Sequence, residues 1–216
     1  MPFSDSKGNQ KCQKNNEKKQ VMKPEYTHFS YGTLAKTPVR RMVFLSHYKG
    51  DHDEVEKFIE DFKDVFIPRV LGANENYDFI DSSNPEYVMN QIRTKYLQKS
   101  TVTIVLIGMC THSRRYVDWE IKSSLRQGSY TPNGLIGILL PSAKDGPDLP
   151  PRFKDNWCKG NNNCYARYYN YPTTAEQLRN WIEDAYDART SRADLIVNSK
   201  EMMKYNARCK HCGVTH

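Results

Sequence analysis

The middle of the chain alternates between short apolar runs and longer stretches with helical periodicity. Three apolar runs, at 39–46, 102–107 and 135–140, have the length and branched composition of buried strands. Two weaker runs, at 77–80 and 164–169, predict a further strand and an edge strand. Because strands and helices alternate, the pattern predicts an α/β domain built on a doubly wound parallel sheet, with helices on both faces.

Apolar side chains spaced three and four residues apart predict the helices. The first is capped by Asp51 or Asp53, continues through Phe66 and is ended by Pro68. Three others are predicted after Asn84-Pro85, after the central strand, and after Thr173/Thr174, with apolar stripes at Val88, Ile92 and Tyr96; at Val117, Ile121 and Leu125; and at Leu178, Trp181, Ile182, Ala185 and Tyr186. Residues 141–163 are rich in Pro, Gly, Asp and Asn and predict a long loop.

The formal net charge of +7 suggests nucleic-acid binding until it is divided along the chain. The excess of Lys and Arg lies in residues 1–37 and 186–216, and the body between them is neutral. Neutrality there argues against a nucleic-acid face, because phosphate binding needs cations clustered on one surface. We predict a basic arm at 1–37 that is disordered or loosely docked, a folded domain at 38–187, and a C-terminal helix and tail at 188–216. With no long apolar run and no secretory signal, we expect a cytoplasmic protein without membrane contact.

The six cysteines are too few for a disulfide scaffold of this length, so we expect reduced thiols. The C-terminal CKHCGVTH is an exception, because Cys209 and Cys212 have zinc-knuckle spacing. A structural zinc needs four ligands, and a second close pair is missing unless Cys158 and Cys164 fold back to supply it. We therefore expect a free tail and no bound metal.

Polar and aromatic side chains collect where two predicted strands end. Neither G-x-G-x-x-G nor a Walker-type glycine loop is present, so the sequence does not predict phosphate binding by a glycine-rich backbone. Adjacent residues on a strand end point to opposite sides, which argues against a hydrolase dyad of Ser46 and His47. Glu120 lies at the edge of a packed helical stripe. It is either a candidate for chemistry or a solvated carboxylate near Arg115.

Here the chain resembles TIR-like domains, and most closely the TIR-like proteins of bacterial Thoeris antiphage defence. The resemblance rests on VFLSHYKGD, on STVTIVLIG followed by T-x-S-x-x-Y-V-x-W-E-I, and on NGLIGILLP, in that order over residues 39–140. It implies a flavodoxin-like fold that cleaves the nicotinamide glycosidic bond of NAD, with Glu120 matching the essential glutamate. One position departs from the pattern, because Tyr116 stands where these relatives often have Trp.

In this interpretation NAD is the substrate, and no separate cofactor is required. The catalytic residue is Glu120, and the residues expected to bind NAD are Ser46, His47, Tyr48, Asp81, Ser113, Tyr116 and Trp119. The resemblance further implies an ADP-ribose-derived signal, cyclic in form, that activates a separate effector protein. It also implies a phage-derived trigger and assembly of several copies in the active state. Hydrolysis and cyclisation both remain open.

Two non-enzymatic alternatives also fit an α/β sheet of this kind. A catalytically silent TIR-like scaffold would act by self-association, through surfaces that resemble those of the enzymes. A response-regulator-like receiver would need a phosphoacceptor Asp at a strand end. The central strand instead ends in Gly108-Met109-Cys110, which argues against a receiver.

Overall fold

The computed structural model describes residues 39–70, 84–128, 130–143, 146–160 and 163–215. The strands of its sheet are β1 Arg41–Ser46, β2 Phe66–Val70, β3 Val102–Ile107, β4 Gly134–Leu139 and β5 Arg167–Tyr169. The α-helices are α1 His52–Asp61, α2 Pro85–Gln91, α3 Arg115–Ser124, α4 Pro151–Asp155 and α5 Ala175–Ser191. A π-helical stretch, Ile92–Leu97, continues α2. The predicted N-terminal arm at 1–37 and the predicted strand at 77–80 lie outside the described residues.

All neighbouring strands pair in parallel, in the order β2-β1-β3-β4-β5. This is the flavodoxin-like strand order, and it confirms the predicted fold class. The direction of winding reverses between β1 and β3. Sheets of this type bind ligands in the crevice at the carboxyl ends of those two strands.

The alternation of side chains along β1 divides the core between the two faces of the sheet. Val43 and Leu45 pack with α1 and α5, whereas Phe44 packs with α2 and with Trp119 of α3. β3 is buried along its whole length, as expected of a central parallel strand. Because side chains alternate with period two, Ser46 points to the same face as Phe44, toward α3.

The first predicted helix is too long. α1 ends at Asp61, and the apolar residues that follow belong to the edge strand β2. Phe66 nevertheless packs against Phe58 of α1, with ring centroids 5.8 Å apart, because both elements face one apolar cluster. Pro68 does not break this strand, because an edge strand tolerates a residue without an N–H on its outer side.

Two predicted helix starts are confirmed by their caps. The Asn84 side chain accepts a hydrogen bond from the backbone N–H of Tyr87 at 3.3 Å, at the start of α2. Thr174 accepts from the backbone N–H of Gln177 at 3.1 Å, at the start of α5. A side-chain oxygen at this position satisfies an N–H that the first helical turn leaves unpaired.

The predicted loop at 141–163 is only partly irregular. It contains α4, which begins at Pro151, where the fixed backbone of proline suits a first helical turn. A disulfide joins Cys158 to Cys164, so the expectation of reduced thiols is wrong for this pair. Among the described helices, none is both long and apolar enough to span a bilayer.

The C-terminal segment, residues 193–215, packs on the domain, so the expectation of a free tail is wrong. Arg152 of α4 is fully buried and donates to both carboxylate oxygens of Asp118, at 2.9 and 3.2 Å. The same guanidinium donates to the backbone carbonyls of Lys200 and Glu201 at 2.9 and 3.0 Å. Asp118 also accepts from the backbone N–H of Met203 at 3.0 Å. This buried ion pair anchors a segment that has few apolar residues of its own.

Candidate active site

A buried hydrogen bond joins the end of β1 to α3. The hydroxyl of Ser46 donates to Oε2 of Glu120 at 2.6 Å, and Glu120 is only 4% exposed. The bond forms because Ser46 lies on the α3 face of β1, while Glu120 borders the packed stripe of α3. Within the described residues Glu120 has no ion pair, so the alternative of a solvated surface carboxylate is wrong. The structure thus brings together two residues predicted for one site.

The environment of Glu120 favours its protonated form. Burial raises the pKa of Glu120 from 4.5 to about 8, and the hydrogen bond from Ser46 lowers it by a smaller amount. The carboxyl group is therefore mostly protonated at neutral pH in this arrangement. A cation placed beside a buried carboxyl lowers its pKa, because the charged form gains an attractive partner.

Arg114, immediately before α3, faces the loop that follows β1. Its guanidinium lies 3.8 Å from the centre of the Tyr48 ring. Arg114 is 5% exposed, and none of its three guanidinium nitrogens makes a hydrogen bond within the part of the chain that the structure describes. Gly50 gives the Tyr48 ring its space, since a Cβ there would lie 2.3 Å from a ring carbon. Buried polar groups are normally hydrogen-bonded, so these donors are available to an anion.

Asp51 connects the loops after β1 and β3. It occupies the predicted cap position of α1 but makes no capping hydrogen bond; instead it accepts from the hydroxyl of Thr111 at 3.3 Å. Gly108 allows this approach, because a Cβ there would lie 2.2 Å from the Asp51 carboxylate. Burial raises the pKa of Asp51 to about 6. Burial also lowers the pKa of His47 to about 4, so His47 is neutral at pH 7.

The remaining candidates make contacts within the protein. The indole N–H of Trp119 donates to the carbonyl of Met203 at 2.9 Å, and the Tyr116 ring meets Trp119 edge-on at 5.3 Å. The Ser113 hydroxyl donates to a backbone carbonyl three residues earlier at 2.9 Å. Asp81 lies outside the described residues. Trp119 therefore links α3 to the C-terminal segment, whereas the Ser113 side chain is bonded within the loop after β3.

Sequence reasoning missed Arg114 and the contact between Asp51 and Thr111. Arg114 lies inside the motif that carries the resemblance, but its burial depends on Tyr48, which is 66 positions earlier in the chain. Proximity to Ser113 was the one available signal. The sequence predicts only a capping role for Asp51, because capping is a local property and the contact of Asp51 with Thr111 is not.

Two groups of potential metal ligands lie outside this site. In each group the ligand atoms of the described residues lie within 4.8 Å of one another: Cys110, Cys209 and Cys212; and His112, Asp148 and His211.

A protein-family model matches the part of the chain that carries this candidate site. Residues 44–145 match the family described as the Thoeris protein ThsB, TIR-like domain. The match contains Ser46, Arg114 and Glu120, and it ends before α4. A search among curated proteins returns no significant match. The family supports a role in Thoeris defence. Residues 44–145, just under half of the chain, are thus similar to a ThsB-type TIR-like domain, and this match supports a TIR-like, Thoeris-related protein.

Proposed function

We propose that this protein cleaves the nicotinamide glycosidic bond of NAD, with Glu120 as the catalytic carboxylate. The observation that supports this most is the position of Glu120: a desolvated carboxyl, bonded to Ser46, at the carboxyl ends of β1 and β3. That edge of a doubly wound sheet is where ligands bind. The match to a TIR-like family adds independent support.

The chemistry of the reaction suits a buried carboxyl. NAD carries a positive charge on its nicotinamide ring, and breaking the glycosidic bond develops oxocarbenium character on the ribose. A cationic substrate would lower the pKa of Glu120, so the carboxylate forms where positive charge develops. Low local dielectric strengthens the attraction between them. Nicotinamide leaves as a neutral molecule, so no strong general acid is required.

Arg114 supplies a second feature that suits a dinucleotide. Its unused guanidinium donors match the geometry of a pyrophosphate, which accepts paired hydrogen bonds. Glu120 follows it by six positions, about 9 Å along the axis of α3 at 1.5 Å per residue. In this proposal Arg114 binds the diphosphate while Glu120 faces the nicotinamide ribose. The Tyr48 ring, already in contact with Arg114, can pack against a ring of the substrate.

The product in this proposal is an ADP-ribose-derived nucleotide, cyclic in form, that diffuses to a separate effector protein in antiphage defence. Because Glu120 is buried and Trp119 is covered by the C-terminal segment, substrate reaches the carboxyl only after groups at this edge move. Such an arrangement suits an enzyme that is silent until a phage-derived trigger or assembly of several copies opens it.

Product analysis tests the proposal directly. Purified protein is incubated with NAD, with and without a lysate of phage-infected cells, and the products are identified by mass spectrometry. We expect release of nicotinamide together with ADP-ribose or a cyclic ADP-ribose, and the cyclic product is lighter by the mass of one water. Absence of nicotinamide release under every condition would contradict the proposal.

A catalytically silent scaffold is the second candidate, and it is favoured because the C-terminal segment covers Trp119 at the edge where a substrate would enter. A groove of about 500 Å³ along β5, lined in part by Trp157, Arg167 and Tyr168, lies at another edge of the sheet. A scaffold would retain its biological activity when Glu120 is replaced by Gln. An enzyme would lose it.

A further inference from the structure

Three thiols from distant parts of the sequence meet beside the loop after β3. The sulfur of Cys110 lies 3.1 Å from that of Cys209 and 3.5 Å from that of Cys212. These distances are too long for a disulfide bond, and no two of these three described cysteines are joined by one. Zinc bound to thiolates at about 2.3 Å in a tetrahedral arrangement separates its sulfur ligands by roughly 3.7 Å. We propose that Cys110, Cys209 and Cys212 bind a structural zinc ion.

The turn that carries two of these cysteines has the form of a zinc knuckle. The backbone N–H of Gly213 donates to the carbonyl of Cys209 at 2.8 Å, and the N–H of Cys209 donates to the carbonyl of Val214 at 2.9 Å. Gly213 has a φ of 71°, which favours glycine, so the chain can turn back directly after Cys212. The turn thus places the sulfurs of Cys209 and Cys212 within 3.1 and 3.5 Å of the sulfur of Cys110.

Burial of Cys209 is a further argument for a cation. Cys209 is fully buried, in a segment that otherwise consists mostly of exposed polar residues. A metal ion explains why the end of a polar segment inserts a cysteine beside Cys110. Three thiolate ligands leave a fourth position, which a water molecule would complete.

The neighbouring group of His112, Asp148 and His211 does not need a metal to explain it. Nε2 of His112 accepts from the backbone N–H of Lys210 at 3.4 Å, and Nε2 of His211 accepts from that of Asp148 at 3.4 Å. The ammonium of Lys210 pairs with the Asp148 carboxylate at 3.1 Å. These contacts use the Nε2 atoms of both histidines and the Asp148 carboxylate within the protein, so we assign zinc to the thiols alone.

The proposed ion would fasten the C-terminal segment to the loop that frames the candidate active site. Next to the cluster, the backbone N–H of Ala207 donates to the carbonyl of Ser113 at 2.9 Å. The side chain of Asn206 accepts from the backbone N–H of Arg115 at 2.9 Å. Zinc bound by Cys110 and Cys209 would attach the C-terminal segment to the same loop at a second point, next to these hydrogen bonds. Its role is therefore structural, and it is independent of NAD cleavage.

Metal analysis of the full chain tests the site. The protein is expressed with added zinc and purified without chelators or a metal-affinity step, and its metal content is measured by mass spectrometry. We expect about one zinc per chain. Cys110→Ser and Cys209→Ser should each lower that content at least tenfold. The double variant Cys158→Ser/Cys164→Ser is the matched control, because it removes the disulfide pair outside the cluster without leaving a lone thiol, and it should retain the ion.

A second measurement on the wild-type chain applies even if the variants fail to fold. Zinc should protect three thiols from alkylation until a chelator removes it, and the chelator should lower the melting temperature. Replacement by Co²⁺ should produce the thiolate charge-transfer absorption of a tetrahedral site. Wild-type protein that binds neither metal, with all three thiols alkylated without a chelator, would overturn the proposal. A disulfide between any two of them in the isolated protein would also overturn it.

Discussion

Replacing Glu120 by Gln should change how the stability of the protein depends on pH. Glutamine keeps the shape of the side chain and can still accept the hydrogen bond from Ser46, but it cannot ionise. Wild-type Glu120 keeps its proton in the folded state up to a pKa of about 8, whereas the unfolded chain releases it near 4.5. Between these values the folded state binds more protons, so wild-type stability falls as pH rises.

The size of this effect follows from the distance between the two pKa values. From about pH 5 to about pH 8, ionisation in the unfolded chain should cost the wild type about 3 kcal/mol of unfolding free energy relative to Glu120→Gln. For a chain of this size the difference corresponds to roughly 6–12 °C in melting temperature. The unfolding free energy of Glu120→Gln, relative to that of the wild type, should therefore increase steadily as the pH rises over this range.

Urea unfolding of wild type and Glu120→Gln over that pH range measures the effect. Subtracting one unfolding free energy from the other at each pH removes the contribution of the titrating groups that the two proteins share. Glu60→Gln is the matched control, since the Glu60 side chain is 73% exposed. Its difference from wild type should stay within about 0.5 kcal/mol. A difference between wild type and Glu120→Gln that does not change with pH would refute the buried, protonated state of Glu120.

Three further substitutions test how the fold is held together, each by urea unfolding. Arg152→Met leaves the Asp118 carboxylate buried without its cation and should cost about 3–5 kcal/mol; a cost under 1 kcal/mol would contradict the anchoring role of this pair. Gly134→Ala places a Cβ 1.9 Å from the backbone carbonyl oxygen of Ala185 and should cost about 2 kcal/mol or more, whereas a neutral effect would mean that α5 can shift. Thr174→Ala removes the cap of α5 and should cost about 1 kcal/mol.

The features that could be predicted from the sequence are those set by local periodicity. The apolar run of β3 and the stripe of α3 predicted a buried strand and a packed helix, and the structure contains both. Side chains alternate between the two faces along β1, so Ser46 points toward α3. The motif at the end of β1 therefore contacts Glu120 in the motif after β3. Periodicity failed at Phe66, because a helix and the following edge strand present apolar side chains to the same cluster.

The features that could not be predicted depend on contacts between distant positions. Arg152 and Asp118 are separated by 34 residues, and nothing near either one marks it as half of a buried ion pair. Cys110 and Cys209 are 99 residues apart. Spacing identified the pair in the tail, but the third thiol of the cluster lies in the loop after β3, where no local pattern marks it. The C-terminal segment packs through backbone hydrogen bonds, which apolar periodicity does not report.

The catalytic role of Glu120 is tested most directly by the rate of NAD turnover in Glu120→Gln. The measurement compares this variant with wild type and with Glu60→Gln, all shown to be folded, under the condition that gives the highest wild-type rate. Loss of the carboxylate should lower turnover at least about a hundredfold, equivalent to roughly 2.7 kcal/mol of barrier, while Glu60→Gln matches wild type. A folded Glu120→Gln protein that turns over NAD at the wild-type rate would contradict the account.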